Sequence, residues 1–493
     1  MMAARTIALL CLAPALWLSA PATAQGMYEE LMALSGALNV VQANYVDEVD
    51  GAAVVEGAVR GALASLDPHS VYVPAHQAEA YAAMQRGERA GIGVQLAVVE
   101  GEPMIVSLVP GGAADRSRQV SPGDVIVTVD GQPALGLPEG ELALLLTGEE
   151  GSEVDLGMRR FRAEGDERDT YRLTLERRTL ADAAVTAWKV ETEAGRVGYV
   201  RLAEFNAAVL DGFPDALKAL GRGGLPDLLL LDLRGNPGGL IDAAIVVAEP
   251  FLAKGDTLFT TKGRKFSFYR TADSRRRVPP IPVAVLIDQG SASASELVAG
   301  ALQDHDRALI VGERTFGKGL VQQQHRLNSG GYVVLTVGRY YTPSGRLVQR
   351  DYEGMSLQAY HAAMGTTPED APEYRTSRGR PVYGGGGIAP DVPVEVPAPP
   401  ADPAGVWSAA QDFAASIPEG ADLAAFLAEP LSAEADALLA GAASDPAAVQ
   451  LFKQVVAGLR WGEEGSRRAL LTVDPVVATA LRELASPPEW LQR

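Results

Sequence analysis

The chain reads as a multidomain α/β protein: a layered α/β core interrupted by a small inserted β domain, with a helical segment ahead of it and a helical tail behind. Three observations lead there. Between 179 and 397, runs that are hydrophobic almost throughout, LLLLDL and IPVAVLID, alternate with helical stretches such as ASELVAGALQDH, the pattern of a sheet covered on both faces. From 86 to 178, short runs of period-two hydrophobicity alternate with Gly and Pro turns. Over 27–83, Leu and Val recur every three to four residues, and after Pro399 the chain becomes Ala-rich and weakly helical with Pro breaks. A length of 493 residues allows about three domains, each with its own core.

Residues 1–24, MMAARTIALLCLAPALWLSAPATA, carry one early charge, Arg5, then an apolar stretch from Ile7 to Leu18 and the small-x-small pattern of Ala22 to Ala24. That is the pattern of an export signal cleaved after Ala24. The apolar run is shorter than the roughly 20 residues a bilayer requires. Its Cys11 is the only cysteine, so the mature chain can form neither disulfides nor a thiol-based site. The expected product is a soluble periplasmic or otherwise exported protein. A formal charge of −19 repels a phosphate backbone, which argues against nucleic acid as a partner.

Residues 25–85 form the expected helical segment, broken by LDPHSVYVP (66–74). His69 beside Asp67-Pro68 reads as a local hydrogen bonder in a turn. The insert at 86–178 contains GIGVQL, PGGAADRS and SPGDVIVTVDGQP, which resemble the carboxylate loop, first helix and SPGD turn of a PDZ domain. Such a domain adds an extended peptide to a sheet edge and receives the terminal carboxylate on loop N–H groups. The resemblance assigns that loop to Gly91, Ile92 and Gly93, where glycine lets the backbone approach an anion.

The core at 179–397 carries the chemistry. DLRGNPGG (232–239) ends a buried strand with a turn that can aim backbone N–H groups at a ligand. QGSASASELVAGALQD (289–304) places three small hydroxyls at a strand-to-helix junction. TFGKGLVQ (315–322) sets Lys318 between two glycines in apolar surroundings. A lysine held away from water loses its preference for the ammonium form, and its free amine can then take a proton from a serine hydroxyl. The helix N-terminus and the NPGG amides would supply the field for an oxyanion, with Gly239 and Ala294 the expected donors.

In order, LDPHS, the PDZ-like insert, DLRGNPGG, SASASE, TFGKGLVQ, YYTPSGRLVQ and GGGIAPD resemble the carboxyl-terminal processing peptidases, or tail-specific proteases, over roughly residues 30 to 397. The resemblance implies an ATP-independent serine endopeptidase that takes protein substrates by their C-terminal tails and uses no metal or cofactor. It assigns the nucleophile to Ser293, the base to Lys318, 25 residues on, and the residue orienting the amine to Gln322. Fully extended, Lys318 and Gln322 would stand about 13 Å apart, so a helical turn or bend between them is expected. Ser291 and Ser295 read as turn and capping residues, Ser295 and Glu296 opening the helix's polar first turn. Asp304, sometimes included in the family's triad, would lie about 16 Å along a continuous helix from Ser293 and is expected to be structural. The polar insertion at 351–387 and the tail at 398–493 depart from the family pattern, leaving open an adaptor protein and a homo-oligomer.

Three rivals remain. GERTFGKG (312–319) approaches a phosphate-binding P-loop, but Gly319 stands where a magnesium-binding hydroxyl is needed. A PDZ scaffold without catalysis would not need Ser293, Lys318 and Gln322 together. A Ser-His-Asp arrangement would have to draw on His305 or His325, and nothing in the pattern brings either to Ser293.

Overall fold

A computed structural model describes residues 22–491 except 87–89, 100–101, 109–111, 118, 121–123, 138, 162–167, 180–183, 193–194, 274–277, 354, 356–365, 367, 369, 399, 401, 419 and 440. The apolar start on which the export expectation rests, the Ser-Pro-Gly of the SPGD turn and much of the 351–387 insertion lie outside the described residues.

The chain divides into two units, at Leu66 and Asp67. The first consists of α1 (Ala22–Asn44) and α2 (Gly51–Ala64), with the Asp50 carboxylate accepting from the Ala52 amide to cap α2. Among its described side chains only Leu63 is buried, while Leu31, Met32, Val40 and Tyr45 are exposed.

The second unit opens with β1 (Val71–Val73) and α3 (Ala78–Arg86), then enters the insert. There β2 (Ala90–Gly91) precedes β3 (Val94–Val99), β4 (Glu102–Leu108), α4 (Ala113–Ser117), β5 (Val125–Val129), β6 (Gln132–Pro133), α5 (Glu139–Leu146), β7 (Glu153–Phe161), β8 (Arg168–Glu176) and β9 (Arg178–Thr179). Strands β3-β4-β5-β7-β8 form one antiparallel sheet, with β6 beside β5. Its core gathers Ile105, Ile126, Leu142, Leu156 and Met158. The short β2–β9 pair ties the two ends of the insert together.

Beyond it lies the layered core. A six-stranded sheet runs β10 (Val185–Thr192), β11 (Gly195–Leu202), β12 (Leu228–Asp232), β15 (Val283–Ile287), β16 (Leu309–Gly312), β21 (Val392–Pro393), parallel except for β10. Every residue of β12 and β15 is buried, their apolar runs as strands covered on both faces require, and Asp232 at the end of β12 ion-paired with Arg234. One face packs on α6 (Val209–Leu220), α7 (Ile241–Ala248) and α8 (Ala294–Asp304). The other is covered by the end of the chain: Leu471 and the helix Pro475–Ala485 place Val476, Val477, Ala480 and Leu484 against Trp188, Tyr199, Leu230 and Leu286. The Ala-rich tail therefore completes the core sheet of its own chain.

A second sheet stands over the N-terminal end of α8. Its strands are β1, β18 (Tyr332–Tyr341), β13 (Thr257–Gly263) and β14 (Ser267–Thr271), with β17 (Leu320–Arg326) along the free side of β18. Through β13 and β18 it meets α8 in the main core, where Phe259 and Tyr340 pack with Ala294 and Leu297.

Candidate active site

The outer two serines of the trio are structural. Ser291 Oγ donates to the Leu233 carbonyl at 2.8 Å and accepts from the Asp288 amide at 3.0 Å, while Ser295 Oγ donates to the Asn236 carbonyl at 2.8 Å. Both staple the junction to the DLRGNPGG segment. Ser293, between them, is the N-cap of α8 and holds φ 53° and ψ −109°, a region serine rarely visits. This corrects the expected polar first turn: the cap is Ser293 itself, and Ser295 and Glu296 are fully buried.

Glu296 organises the surroundings. Its Oε1 accepts from Thr315 Oγ1 at 2.6 Å and the Gly317 amide at 2.7 Å; its Oε2 accepts from the Ser293 amide at 2.8 Å and the Lys318 amide at 2.7 Å. One carboxylate oxygen thus bridges the backbones of Ser293 and Lys318. A second bridge comes from Tyr340, whose hydroxyl lies 2.8 Å from the carbonyls of both residues. The two positions are clamped on their N–H side and on their C=O side. Burial pushes the Glu296 carboxyl above its ordinary range against the pull of its four donors, and burial, then Glu296, raises the Tyr340 phenol.

Lys318 Nζ donates to Gln322 Oε1 at 3.0 Å. Burial lowers the amine from its usual value, opposed by the charges of Glu296 and Asp67. Of the helical turn or bend expected between the pair, the structure shows the bend. The chain is extended into β17, a bulge between Val321 and Gln322 re-aims the glutamine, and two long side chains close the gap. Gln322 Nε2 in turn donates to the His69 carbonyl. The turn holding that carbonyl is built on Asp67, which accepts from the His69 and Ser70 amides and from Ser70 Oγ, each at 2.8 Å. Ser70 Oγ accepts from the Thr336 amide of β18 at 3.1 Å. His69 thus meets the site through its backbone carbonyl, while its ring lies edge-on to Phe316.

The NPGG turn abuts the same serine. Gly238 has φ 99°, and a Cβ there would stand 2.7 Å from the Ala292 carbonyl, 2.8 Å from Ser293 Cβ and 2.9 Å from the Ala294 amide. Only glycine fits. Gly239, at φ 137°, is pressed against Phe205. The amides of Gly239 and Ala294 donate to no group among the described residues.

Asp304 is at the far end of α8, ion-paired to buried Arg346 at 2.8 Å and accepting from the Ser344 amide. His305 Nε2 lies 2.7 Å from the Thr257 carbonyl beyond that end, and His325 is exposed on β17. A strand, not a helix, follows Lys318, so the P-loop reading lacks its helix. In the insert, Gly91 pairs with Arg178, Ile92 is buried with its carbonyl accepting from the Ala114 amide, and Gly93 takes φ 77° at the start of β3. Among the described residues no cluster of His, Cys, Asp and Glu could hold a metal, and no helix is long and apolar enough to cross a membrane.

Sequence reasoning missed Glu296 and Tyr340. The Ser-x-x-Glu spacing of a capping box was the available signal for Glu296; none singled out Tyr340 among the aromatics of β18.

A strained serine at a helix N-terminus, a buried lysine and an inserted PDZ domain define a serine peptidase of α/β architecture. The matches to known proteins agree. The model of peptidase family S41 matches residues 196–355, the PDZ domain 82–159, and the N-terminal domain of activating protease CtpB 17–77. The carboxy-terminal-processing protease of Bartonella bacilliformis is 36% identical over 331 residues, 66% of this chain and 74% of its own. The carboxy-terminal processing protease CtpB of Bacillus subtilis is 29% identical over 334 residues, 67% of this chain and 68% of its own. The solved photosystem II D1 C-terminal processing protease superposes with a TM-score of 0.50 at 28% identity, over 74% of this chain and 93% of its own. The chain belongs to the carboxy-terminal processing proteases of peptidase family S41.

Proposed function

We propose that the protein is an exported, ATP-independent endopeptidase that cleaves proteins near their C-termini with Ser293 and Lys318 as its catalytic pair. The observation that carries the reading is the double clamp, which holds a buried amine's backbone and a strained serine's backbone to the same two groups. Neutral Lys318 takes the Ser293 hydroxyl proton as Oγ bonds the scissile carbonyl carbon. The oxyanion forms against the Gly239 and Ala294 amides at the positive end of α8. Collapse breaks the C–N bond, and the leaving amine takes the proton back from the Lys318 ammonium. Water then enters and gives a proton to the same lysine as its oxygen bonds the acyl carbon; collapse breaks the ester C–Oγ bond, Ser293 Oγ takes the proton back from the Lys318 ammonium, and the acid leaves. Gln322, oriented by the His69 carbonyl, fixes the amine's direction. Gly91, Ile92 and Gly93 receive the substrate's terminal carboxylate, as loop N–H groups do in PDZ recognition.

The test is Ser293→Ala. Proteolysis of a protein with an unstructured apolar C-terminus should fall to background while the unfolding temperature stays nearly constant; retained cleavage removes Ser293 from the mechanism.

A further inference from the structure

The sheet that carries Tyr340 presents a second feature on the same side. Thr261 of β13 stands directly opposite both Tyr340 of β18 and Phe268 of β14. Directly paired residues project to one face, so the three form a row across the sheet. Because the Tyr340 hydroxyl reaches Ser293 and Lys318, this is the face turned toward the catalytic pair.

One step along, Gly263 faces Gly338. A Cβ on Gly263 would come within 2.7 Å of the Phe266 ring and one on Gly338 within 3.2 Å, so the ring lies across the glycine pair. Phe266 also stacks on Phe268, with centroids 5.9 Å apart and planes at 24°. Thr261 and Tyr340 are buried, yet Phe266 and Phe268 are 37% and 49% exposed. Single exposed aromatics need no explanation, but two stacked rings seated on glycines form a preorganised apolar surface. Gly338 is two residues from Tyr340, about 7 Å along the strand, and Phe268 is two strands from it, roughly 10 Å across the sheet.

We propose that Phe266 and Phe268 form a substrate subsite for one large apolar or aromatic side chain, about three residues from the scissile bond. The inference rests on Ser293 being the nucleophile. An extended substrate advances about 3.3 Å per residue, so the roughly 10 Å between Tyr340 and Phe268 corresponds to about three positions. Tyr269 supplies an internal control. It pairs with Thr260, which also faces Tyr341, so it projects from the opposite side of the sheet, 72% exposed.

The experiment uses the full chain and a set of peptides with one apolar C-terminus and an alanine background around the cleavage point, phenylalanine being moved through four positions on either side. The wild type should prefer phenylalanine over alanine at one position near the third from the bond, by about 10-fold or more in kcat/KM, as a filled apolar pocket gives. Phe266→Ala and Phe268→Ala should erase that preference and leave cleavage of the all-alanine peptide within about two-fold, because the lost interaction is binding of one side chain alone. Phe266→Leu, which keeps an apolar group over the glycines, should retain part of it, and thermal unfolding of each variant separates lost contact from lost fold. Absence of any positional preference in the wild type, its survival in both alanine variants, or its loss on Tyr269→Ala would overturn the subsite. Each of these outcomes is read from active enzyme and is therefore distinct from a failure of the Ser293 assignment, which appears as cleavage by Ser293→Ala.

Discussion

Tyr340→Phe removes one oxygen atom and tests whether the carbonyl-side bridge positions the catalytic pair. The ring is almost fully buried, so the packing survives and only the hydroxyl is lost. Its single proton is shared between two carbonyls at 2.8 Å. The Ser293 carbonyl also accepts from the Leu297 amide at 2.9 Å, so the loss falls mainly on Lys318. Leaving one buried carbonyl without its donor costs about 1–2 kcal/mol, which in a domain of this size lowers the unfolding temperature by roughly 2–8 °C. The catalytic consequence is larger. Freed on one side, the Lys318 backbone can shift, and a misplacement near 1 Å costs about 10²-fold in rate, or roughly 2.7 kcal/mol of barrier. Steady-state hydrolysis of a fluorogenic peptide should show kcat falling by that order with KM nearly unchanged, since no substrate contact is removed. A variant that loses the expected stability but keeps kcat within about two-fold of wild type would refute positioning, because the ΔΔG would then belong to packing alone.

Glu296→Gln tests the opposite bridge. A carboxamide offers one oxygen where Glu296 offers two, so its amino group must face either Thr315 and Gly317 or Ser293 and Lys318, all of them donors. Turnover should fall. The residual activity should also extend to lower pH, because the charge that favours the Lys318 ammonium is gone; a profile unmoved or shifted to higher pH would count against the electrostatic coupling. Gly238→Ala places a methyl among the Ala292 carbonyl, Ser293 Cβ and the Ala294 amide at a φ of 99°. It should cut kcat by about 10²–10³-fold, the scale of losing one oxyanion donor. Normal turnover in a folded protein would remove the NPGG turn from the site.

The layered core was readable because its central strands β12, β15 and β16 are apolar almost throughout, a pattern that survives only where both faces are covered. The stretches around Ser293 and Lys318 stood out because a serine trio and a glycine-flanked lysine are local patterns, while the choice of the middle serine came from the family resemblance. What joins them is not local. Glu296 read as part of a helix's polar first turn, and its burial follows only once 315–318 folds back over it. Tyr340 lies 47 residues from Ser293 and 22 from Lys318, and its parity with Thr261 is fixed by strand register, which one sequence does not display. The link between Lys318 and Gln322 was expected to need a helical turn or a bend; that the bend is a bulge in a strand paired with β18, closed by two long side chains, depends on strand register. The tail shows the same limit: its alanines suggested weak helices, but that Asp474 would pair with Arg234 of the DLRG segment at 2.8 Å depends on the whole chain.

The proposed mechanism needs a neutral amine beside a buried carboxylate, and the two groups press the protein in opposite directions with pH. Lys318 is held below 10.5, so between its lowered value and 10.5 the unfolded chain binds the extra proton and stability from this group rises with pH. Glu296 is held above 4.5, so from 4.5 up to its raised value the folded chain binds the extra proton and stability falls as pH rises. With Lys318 as the proposed base, activity should be present above the amine's folded value and lost as pH falls through it. Glu296 is tolerable because its four donors are a hydroxyl and three backbone amides, which stabilise its charge without adding a cation of their own. An arginine or lysine in their place would pair with Glu296 more strongly and compete with Lys318 for its field. A carboxylate solvated by amides instead draws the backbones of Ser293 and Lys318 together, and burial remains the largest influence on the amine.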